Sequence, residues 1–223
     1  MQNMFSRIAP RYDYLNRVMS LGVDLIWRRM AIKQACFTSG GTILDLGAGS
    51  GDVSMELVRF NADFHVVAVD NCFELIEIGR DKMRTRKLHN DWVSGDGRFL
   101  PFADESFDGL FAAFSLRNMA SLDTVFNEIK RILRPGGKIV ILDMAQPRPF
   151  VYRQIFNFHF KYIVPRLGKW LGNDPDAYTY LLPSIKNFYK SDELRDELIK
   201  FGYKDVQLRK LMFHTISLCI GTK

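Results

Sequence analysis

The sequence is poor in cysteine, with only Cys36, Cys72 and Cys219, and none of them stands in a CxxC or other metal-type spacing. An odd, scattered set argues against a disulfide framework and against a zinc site, and favours a reducing compartment. No apolar run approaches the roughly 18 residues that a spanning helix needs. The opening residues, Met1 to Arg7, lack the apolar stretch of a signal peptide. The expectation is therefore a cytoplasmic protein, soluble or peripheral on the inner face of the membrane, and not integral. Internal repeats and low-complexity linkers are missing too. What remains is an ordinary globular balance over 223 residues, 47% hydrophobic and 25% charged, enough for one sizeable core. The net charge of +6 favours anionic partners and says nothing about fold.

Apolar periodicity divides the chain. Residues 1–40 read as helical. Residues 41–144 alternate short apolar runs (42–46, 64–69, 107–113 and 138–142) with helical patterns at 52–59, 73–84 and 122–133. Arg134-Pro135-Gly136-Gly137 stops the last of these. Strand alternating with helix implies βαβ units and a mostly parallel sheet with helices on both faces. Residues 145–190 form an aromatic and basic helical insertion, read as helical from Phe150 to Trp170 despite Pro165. Residues 191–223 give a helix at 192–201 and two closing strands that extend the sheet as an antiparallel hairpin. One domain accounts for all of it.

The stretch Asp45-Leu46-Gly47-Ala48-Gly49-Ser50-Gly51-Asp52 lies where a strand should end and a helix begin. Glycines there permit a tight turn and close approach of a ligand. A dinucleotide site would want a third glycine at position 52, and a pyrophosphate would want no carboxylate nearby. Asp45 and Asp52 instead suit a ligand that bears positive charge, as the sulfonium and ammonium of S-adenosylmethionine do. Asp70 ends the next strand, where an acid meets ribose hydroxyls. Asp96 follows the third strand at Trp92-Val93 and is placed to accept from an adenine amino group. Singly, each is also an ordinary turn or cap residue; the ordered set points to S-adenosylmethionine.

This core, with Leu133-Arg134-Pro135-Gly136-Gly137-Lys138 before the fifth strand, resembles the class I (Rossmann-like) S-adenosylmethionine-dependent methyltransferases. Four further stretches narrow the likeness: Phe5 to Gly22 continuing to Trp27-Arg28-Arg29; Phe114-Ser115-Leu116-Arg117-Asn118-Met119; Leu142-Asp143-Met144-Ala145-Gln146-Pro147; and Phe158-His159-Phe160 through Tyr178-Thr179-Tyr180-Leu181. Together they resemble the ubiquinone/menaquinone biosynthesis C-methyltransferases of UbiE/MenG type over nearly the whole chain. The resemblance implies a seven-stranded sheet and a cofactor set of Asp45, Gly47, Gly49, Ser50, Gly51, Asp70, Asn71, Asp96, Gly97 and Ala113. Ser50 stands for the family's usual threonine. Ala113 replaces a serine and has no side-chain donor, and Asp143 replaces a usual glutamate.

The implied reaction is methyl transfer to a ring carbon of a reduced polyprenyl quinone precursor, most of all demethylmenaquinol. A ring carbon is a poor nucleophile until the neighbouring hydroxyl gives up its proton, so the site must orient the ring and stabilise a phenolate. The resemblance places Arg117 at the phenolate, Asn118 on a water or ring oxygen, and His159 as a candidate base. Tyr12, Tyr178 and Tyr180 become candidate ring contacts, and Tyr12 with Asp13 a lid. The competing structural readings are an Arg117 ion pair with Asp143 or Asp108, a packed His159, core tyrosines, and Asp13 as a helix cap. The aromatic stripe Phe150, Tyr152, Phe156, Phe158, Phe160, Tyr162 suits a prenyl channel or plain core. Lys161, Arg166 and Lys169 suit transient contact with an anionic membrane surface. Rival functions are a ubiquinone-precursor methyltransferase, an RNA methyltransferase favoured by charge but lacking an Asn-Pro-Pro-Tyr-type motif, and a non-catalytic cofactor-binding scaffold. The preferred partners are a quinol and not nucleic acid, with a homodimer as one oligomeric option and no metal.

Overall fold

A computed structural model describes residues 2–166 and 179–223. The amino-terminal part is helical as expected: α1 (Gln2–Ile8), a 3-10 turn (Ala9–Arg11), α2 (Tyr12–Ser20) and α3 (Val23–Ala35). Alternation then begins with β1 (Thr42–Leu46), α4 (Asp52–Phe60), β2 (His65–Asp70), α5 (Phe73–Thr85) and β3 (Asp91–Ser94). It continues through β4 (Phe107–Ala113), a 3-10 turn (Leu116–Asn118), α6 (Leu122–Ile132) and β5 (Leu133–Met144). After α7 (Phe150–Phe158) and a π-helical turn (His159–Ile163) come α8 (Leu181–Asn187), α9 (Ser191–Lys200), β6 (Lys204–Leu211) and β7 (Ile216–Thr222).

Seven strands lie in the order β3-β2-β1-β4-β5-β7-β6. The first five are parallel, and β7 inserts antiparallel between β5 and β6. The closing hairpin extends the sheet as expected, its antiparallel member being the inner of the two. Strand alternation sorts side chains to two cores. Leu44, Val67, Leu110 and Ile139 face Phe126 and Ile129 of α6 and Leu194 and Leu198 of α9. Their neighbours Ile43, Val66, Phe111 and Val140 face Ala31, Ile32 and Ala35 of α3 and Val53 and Leu57 of α4. Both faces are covered, which is why these strands read as continuous apolar runs.

A third apolar cluster joins the amino-terminal helices to the insertion: Ile8 and Leu15 pack with Phe156, Val164, Leu181 and Ile185. It forms a roof beside the sheet edge. Three details differ from expectation. β5 starts at Leu133, so the Arg-Pro-Gly-Gly stretch belongs to the strand's beginning, exposed from Arg134 to Gly136 and buried at Gly137, where it crosses a register shift against Phe107 and Gly109. The 150–170 helix turns π-helical at His159, and its end lies outside the described residues. The aromatic stripe divides: Phe156 is buried and Phe160 packs against the same cluster, whereas Phe150, Tyr152, Phe158 and Tyr162 are exposed. Among the described residues no helix is long and apolar enough to cross a membrane.

Trp92 on β3 fills a groove made by two glycines. A Cβ on Gly79, inside α5, would come within 2.2 Å of the indole, and one on Gly51 within 2.8 Å. Replacing an interior helical glycine by alanine ordinarily gains up to about 1 kcal/mol, but overpacking costs about 1–3 kcal/mol. Gly79→Ala should therefore lower the urea midpoint, and a Trp92→Phe background should recover most of the loss.

Candidate active site

All of the first five strands deliver their carboxyl ends to one edge, and the connections diverge between β1 and β4, opening a crevice there. The turn after β1 needs glycine: Gly47, Gly49 and Gly51 have φ of 68°, 56° and 79°. At Gly47 a Cβ would also lie 2.4 Å from that of Ser115. Ser115 is buried and donates to the Leu46 carbonyl at 2.9 Å, fixing the turn after β4 against the turn after β1.

Next to this turn, Gly49 N–H donates to the Asp70 carboxylate at 2.7 Å. Burial pushes the Asp70 carboxyl up, against the N–H groups of Cys72, Gly49 and Asn71. Gly95 N–H donates to the Asp70 carbonyl at 2.9 Å, which sets Asp96 and Gly97 alongside. Asp96 is half-exposed and held low by its bonds from Arg98, one at 2.6 Å. Two neighbouring acids at the rim suit ribose hydroxyls and a base amino group.

On the other side of the turn a pocket is lined by Tyr12, Arg28, Asp45, Gly47, Ala48, Ser50, Asp52, Val53 and Ala113. Asp45 is buried and accepts from the Ser54 amide at 2.9 Å and hydroxyl at 2.7 Å, holding the first turn of α4. Burial pushes its carboxyl up to about 7, the Ser54 bonds and Arg28 offsetting only part. Asp52 is also buried, which alone would raise it, but Lys82, Arg28 and Arg17 hold it down at about 2. Lys82 Nζ lies 2.9 Å from Asp52 and 2.7 Å from Asp13. Arg17 bridges Asp52 to Asp24, and Arg28 meets Asp24 as well. Three cations thus balance three carboxylates where the amino-terminal helices meet the glycine turn.

Ser50 donates to Asp13 and accepts from Lys82 at 3.2 Å. Asp13 is therefore no helix cap: Arg11 precedes α2 without a side-chain cap bond, and the Asp13 carboxylate reaches the glycine turn instead. Glycines that admit close approach, two buried acids, and an Arg28 Nε buried without a partner fit a sulfonium amino-acid nucleoside.

Beyond β4 stands the second half of the site. Phe114 leaves the strand at φ 58°, a strained conformation for an aromatic residue. The 3-10 turn that follows buries Arg117, whose Nη1 donates to Asp143 at 2.6 Å and to the Phe114 carbonyl at 2.6 Å. Burial would lower the guanidinium, but Asp143 and the phenols of Tyr180 and Tyr12 outweigh it and raise its pKa. Arg117 Nε and Asn118 Oδ1 are buried without partners. Tyr180 hydrogen-bonds Arg117, and burial pushes its phenol up; burial pushes Tyr12 up to about 12. The structure therefore brings Arg117, Tyr12, Tyr180 and Asp143 together. Arg117 pairs with Asp143, while Asp108 pairs with Arg134 at 2.7 Å.

A family model, the ubiE/COQ5 methyltransferase family, matches residues 1–223. The chain belongs to that family. A demethylmenaquinone methyltransferase of Roseiflexus sp. (strain RS-1) is 38% identical over 222 residues, 100% of this chain and 92% of its own. A ubiquinone/menaquinone biosynthesis C-methyltransferase UbiE of Geotalea daltonii is 34% identical over 225 residues, 100% and 95% of the two chains. Among solved structures, a SAM-dependent methyltransferase from Aquifex aeolicus superposes with TM-score 0.65 at 17% identity, covering 90% and 91%. The [4+2]-cyclase SpnF reaches 0.67 at 15% identity, covering 100% and 94%, so the fold does not by itself choose the reaction. This ubiE/COQ5 family member is an S-adenosylmethionine-dependent methyltransferase.

His159 starts the π-helical turn, edge-on to Phe160, and burial lowers its pKa. Its described contacts do not join it to Arg117 or Asn118. Tyr178 and Lys169 lie outside the described residues. Sequence reading missed the cations Arg17, Arg28 and Lys82. Arg17 and Arg28 stood in the motifs without a role, whereas nothing around Lys82 in α5 marks a residue that reaches Asp13.

Asp45 gives a pH signature. Because its folded pKa lies above the unfolded value, the folded state holds the proton more tightly. Its contribution favours folding below about pH 4 and is lost as pH rises toward 7. In cofactor-free protein, Asp45→Asn should remove that loss, so the variant gains stability relative to the parent at pH 7.5 but not at pH 4.5. Urea midpoints at the two pH values check it; the lowered His159 titrates in both proteins and cancels.

Proposed function

We propose that this methyltransferase acts on a ring carbon of a demethylated polyprenyl quinol, demethylmenaquinol in menaquinone biosynthesis. The full-length relatives supply the substrate class. The observation that carries the mechanism is Arg117, charged, buried and with Nε unpartnered, beside the unpartnered Oδ1 of Asn118. When bound, S-adenosylmethionine supplies an electrophilic methyl group on a sulfonium. Asp45, Gly47, Gly49, Ser50, Gly51, Asp70, Asn71, Asp96, Gly97 and Ala113 form its cradle. Within it Ser50 becomes available once Asp13 lets go, and Ala113 contributes wall and no side-chain hydrogen bond.

The quinol ring lies under the roof, against Tyr12 and Tyr180, whose raised pKa values keep both phenols protonated as donors near neutral pH. Asn118 Oδ1 accepts from the ring hydroxyl or a water, and Arg117 stabilises the phenolate that forms. His159, kept neutral by burial, is the candidate acceptor of the proton. The activated ring carbon would then take the methyl group as the methyl–sulfur bond breaks and neutral S-adenosylhomocysteine leaves. Its own proton passes to solvent, restoring the aromatic ring, and the proton held at His159 returns to the ring oxygen.

The membrane that holds such a substrate has a matching face. Phe150 and Ile155 on α7 are 64% and 62% exposed, and Tyr152 stacks on Phe213 of the β6–β7 turn with ring centroids 5.0 Å apart. That turn places Met212, Phe213 and His214 all at positive φ, strain that presents Phe213, 66% exposed, to solvent. Arg148 and Lys210, paired to Asp192, and Lys190, paired to Glu193, line a polar pocket that also includes His214 at the end of this turn. Apolar side chains rimmed by basic ones complement an anionic bilayer.

Labelled methyl should pass from S-adenosylmethionine to reduced demethylmenaquinone in detergent, and not to oxidised quinone or tRNA; a demethylated ubiquinol precursor as parallel acceptor separates the two quinones. Label in RNA, or in nothing despite cofactor binding, overturns the reading. Arg117→Ala strands the Asp143 charge, a loss of about 3–5 kcal/mol in a buried pair, so Arg117→Lys is the informative variant. It should lose about 100-fold in turnover with cofactor affinity changed less than about threefold. Ile155→Ser with Phe213→Ser should weaken sedimentation with phosphatidylglycerol vesicles by about tenfold or more, leaving activity in detergent intact.

A further inference from the structure

Arg28 stands in a motif stretch, and the proposed methyl-transfer chemistry gives it no role. Among the residues lining the pocket beside the glycine turn it alone carries positive charge. Its side chain is 9% exposed, and Nη1 is tied to Asp24 one turn earlier in α3. The guanidinium lies over the Phe114 ring, 5.0 Å from its centroid, at the strained end of β4. Its Nε is buried and has no hydrogen-bond partner. A guanidinium set over a ring, with Nη1 fixed by a carboxylate and Nε unpartnered, is ready for a further acceptor such as a carboxylate.

The pocket also says which part of the cofactor it takes. Asp70 and Asp96, the acids placed for the nucleoside, are not among its lining residues, whereas Ala113 at the end of β4 is. The pocket therefore lies toward the amino-acid end. Its two carboxylates are already engaged, Asp52 by Arg17 and Lys82 and Asp45 by Ser54. That leaves the Arg28 Nε as the unanswered charge-assisted donor. A ligand group that met it must be an acceptor, charge-assisted donors are best answered by anions, and the only anionic group of S-adenosylmethionine is its α-carboxylate.

We propose that Arg28 binds the α-carboxylate of S-adenosylmethionine and of the product S-adenosylhomocysteine, so that α3, through Arg28, senses the amino-acid end of the cofactor. Because Asp24 holds Arg28 and also Arg17, which bridges to Asp52 at the start of α4, occupancy of this position is coupled to the contact between the amino-terminal helices and the glycine turn. The competing role is a scaffold one, in which Arg28 only ties α3 to Phe114.

Calorimetric titration separates the two without turnover. The ligands are S-adenosylhomocysteine, its decarboxylated analogue, and 5′-methylthioadenosine, which lacks the whole amino-acid group. The parent protein should bind S-adenosylhomocysteine at least about tenfold tighter than the decarboxylated analogue. Arg28→Ala should weaken S-adenosylhomocysteine by about 10- to 100-fold and leave the other two within about twofold, with Arg28→Lys intermediate. Equal weakening of all three ligands, or of none, overturns the proposal. Should Arg28→Ala fail to fold, the parent comparison and Arg28→Lys still decide: equal parent affinity for the carboxylated and decarboxylated ligands sinks it.

Discussion

The buried ion pair between Arg117 and Asp143 is the interaction on which the site depends. Two charges taken from water inside a protein are tolerable only when each answers the other and the remaining donors are used. Asp143 does answer one face of the guanidinium and is itself fully buried at the end of β5. The Phe114 carbonyl takes a second hydrogen bond. Nε is left without a partner, as is the side-chain Oδ1 of the neighbouring Asn118. The pair therefore does two things at once. It locks the turn after β4 to the adjacent strand, and it maintains a permanent positive charge in a dry place beside two phenols.

That arrangement was partly legible. Arg117, Asp143, Tyr12 and Tyr180 stood out because they sit at strand ends or in motif stretches, and the alternation of apolar residues located the strands themselves. The start of β5 was hidden because Pro135 and two glycines read as a breaker, yet Pro135 and Gly136 fall on exposed strand positions that tolerate them and only Gly137 is buried. The π-helical turn at His159 has no compositional signal, since widening a helix by one residue changes no pattern of side-chain types. Least legible was the charge cluster. Lys82 meets Asp13 across 69 positions of sequence, a distance at which spacing rules say nothing.

The amino-terminal helices carry their own account of the site. The apolar face of α1 and α2 belongs to the roof cluster with α7 and α8 and that of α3 packs on the sheet, while their polar face is spent on the glycine turn. A segment so divided is held by packing on one side and by ionic contacts on the other. The ionic contacts are the ones a charged ligand can exchange, whereas added salt screens them weakly, because Asp24 and Asp52 are buried.

The insertion of β7 between β5 and β6 has a consequence for how the chain is made. β7 is buried along nearly its whole length and supplies the hydrogen bonds for one side of β5, although β6 emerges from the ribosome first. Until β7 arrives, β5 presents an open apolar edge in the middle of the future sheet, an invitation to pair with another copy. The insertion, α8 and α9 must all be synthesised during that interval. Folding is thus committed late, by long-range strand pairing, which is the slow kind. A chaperone that shields the β5 edge would serve this protein more than one that assists its helices.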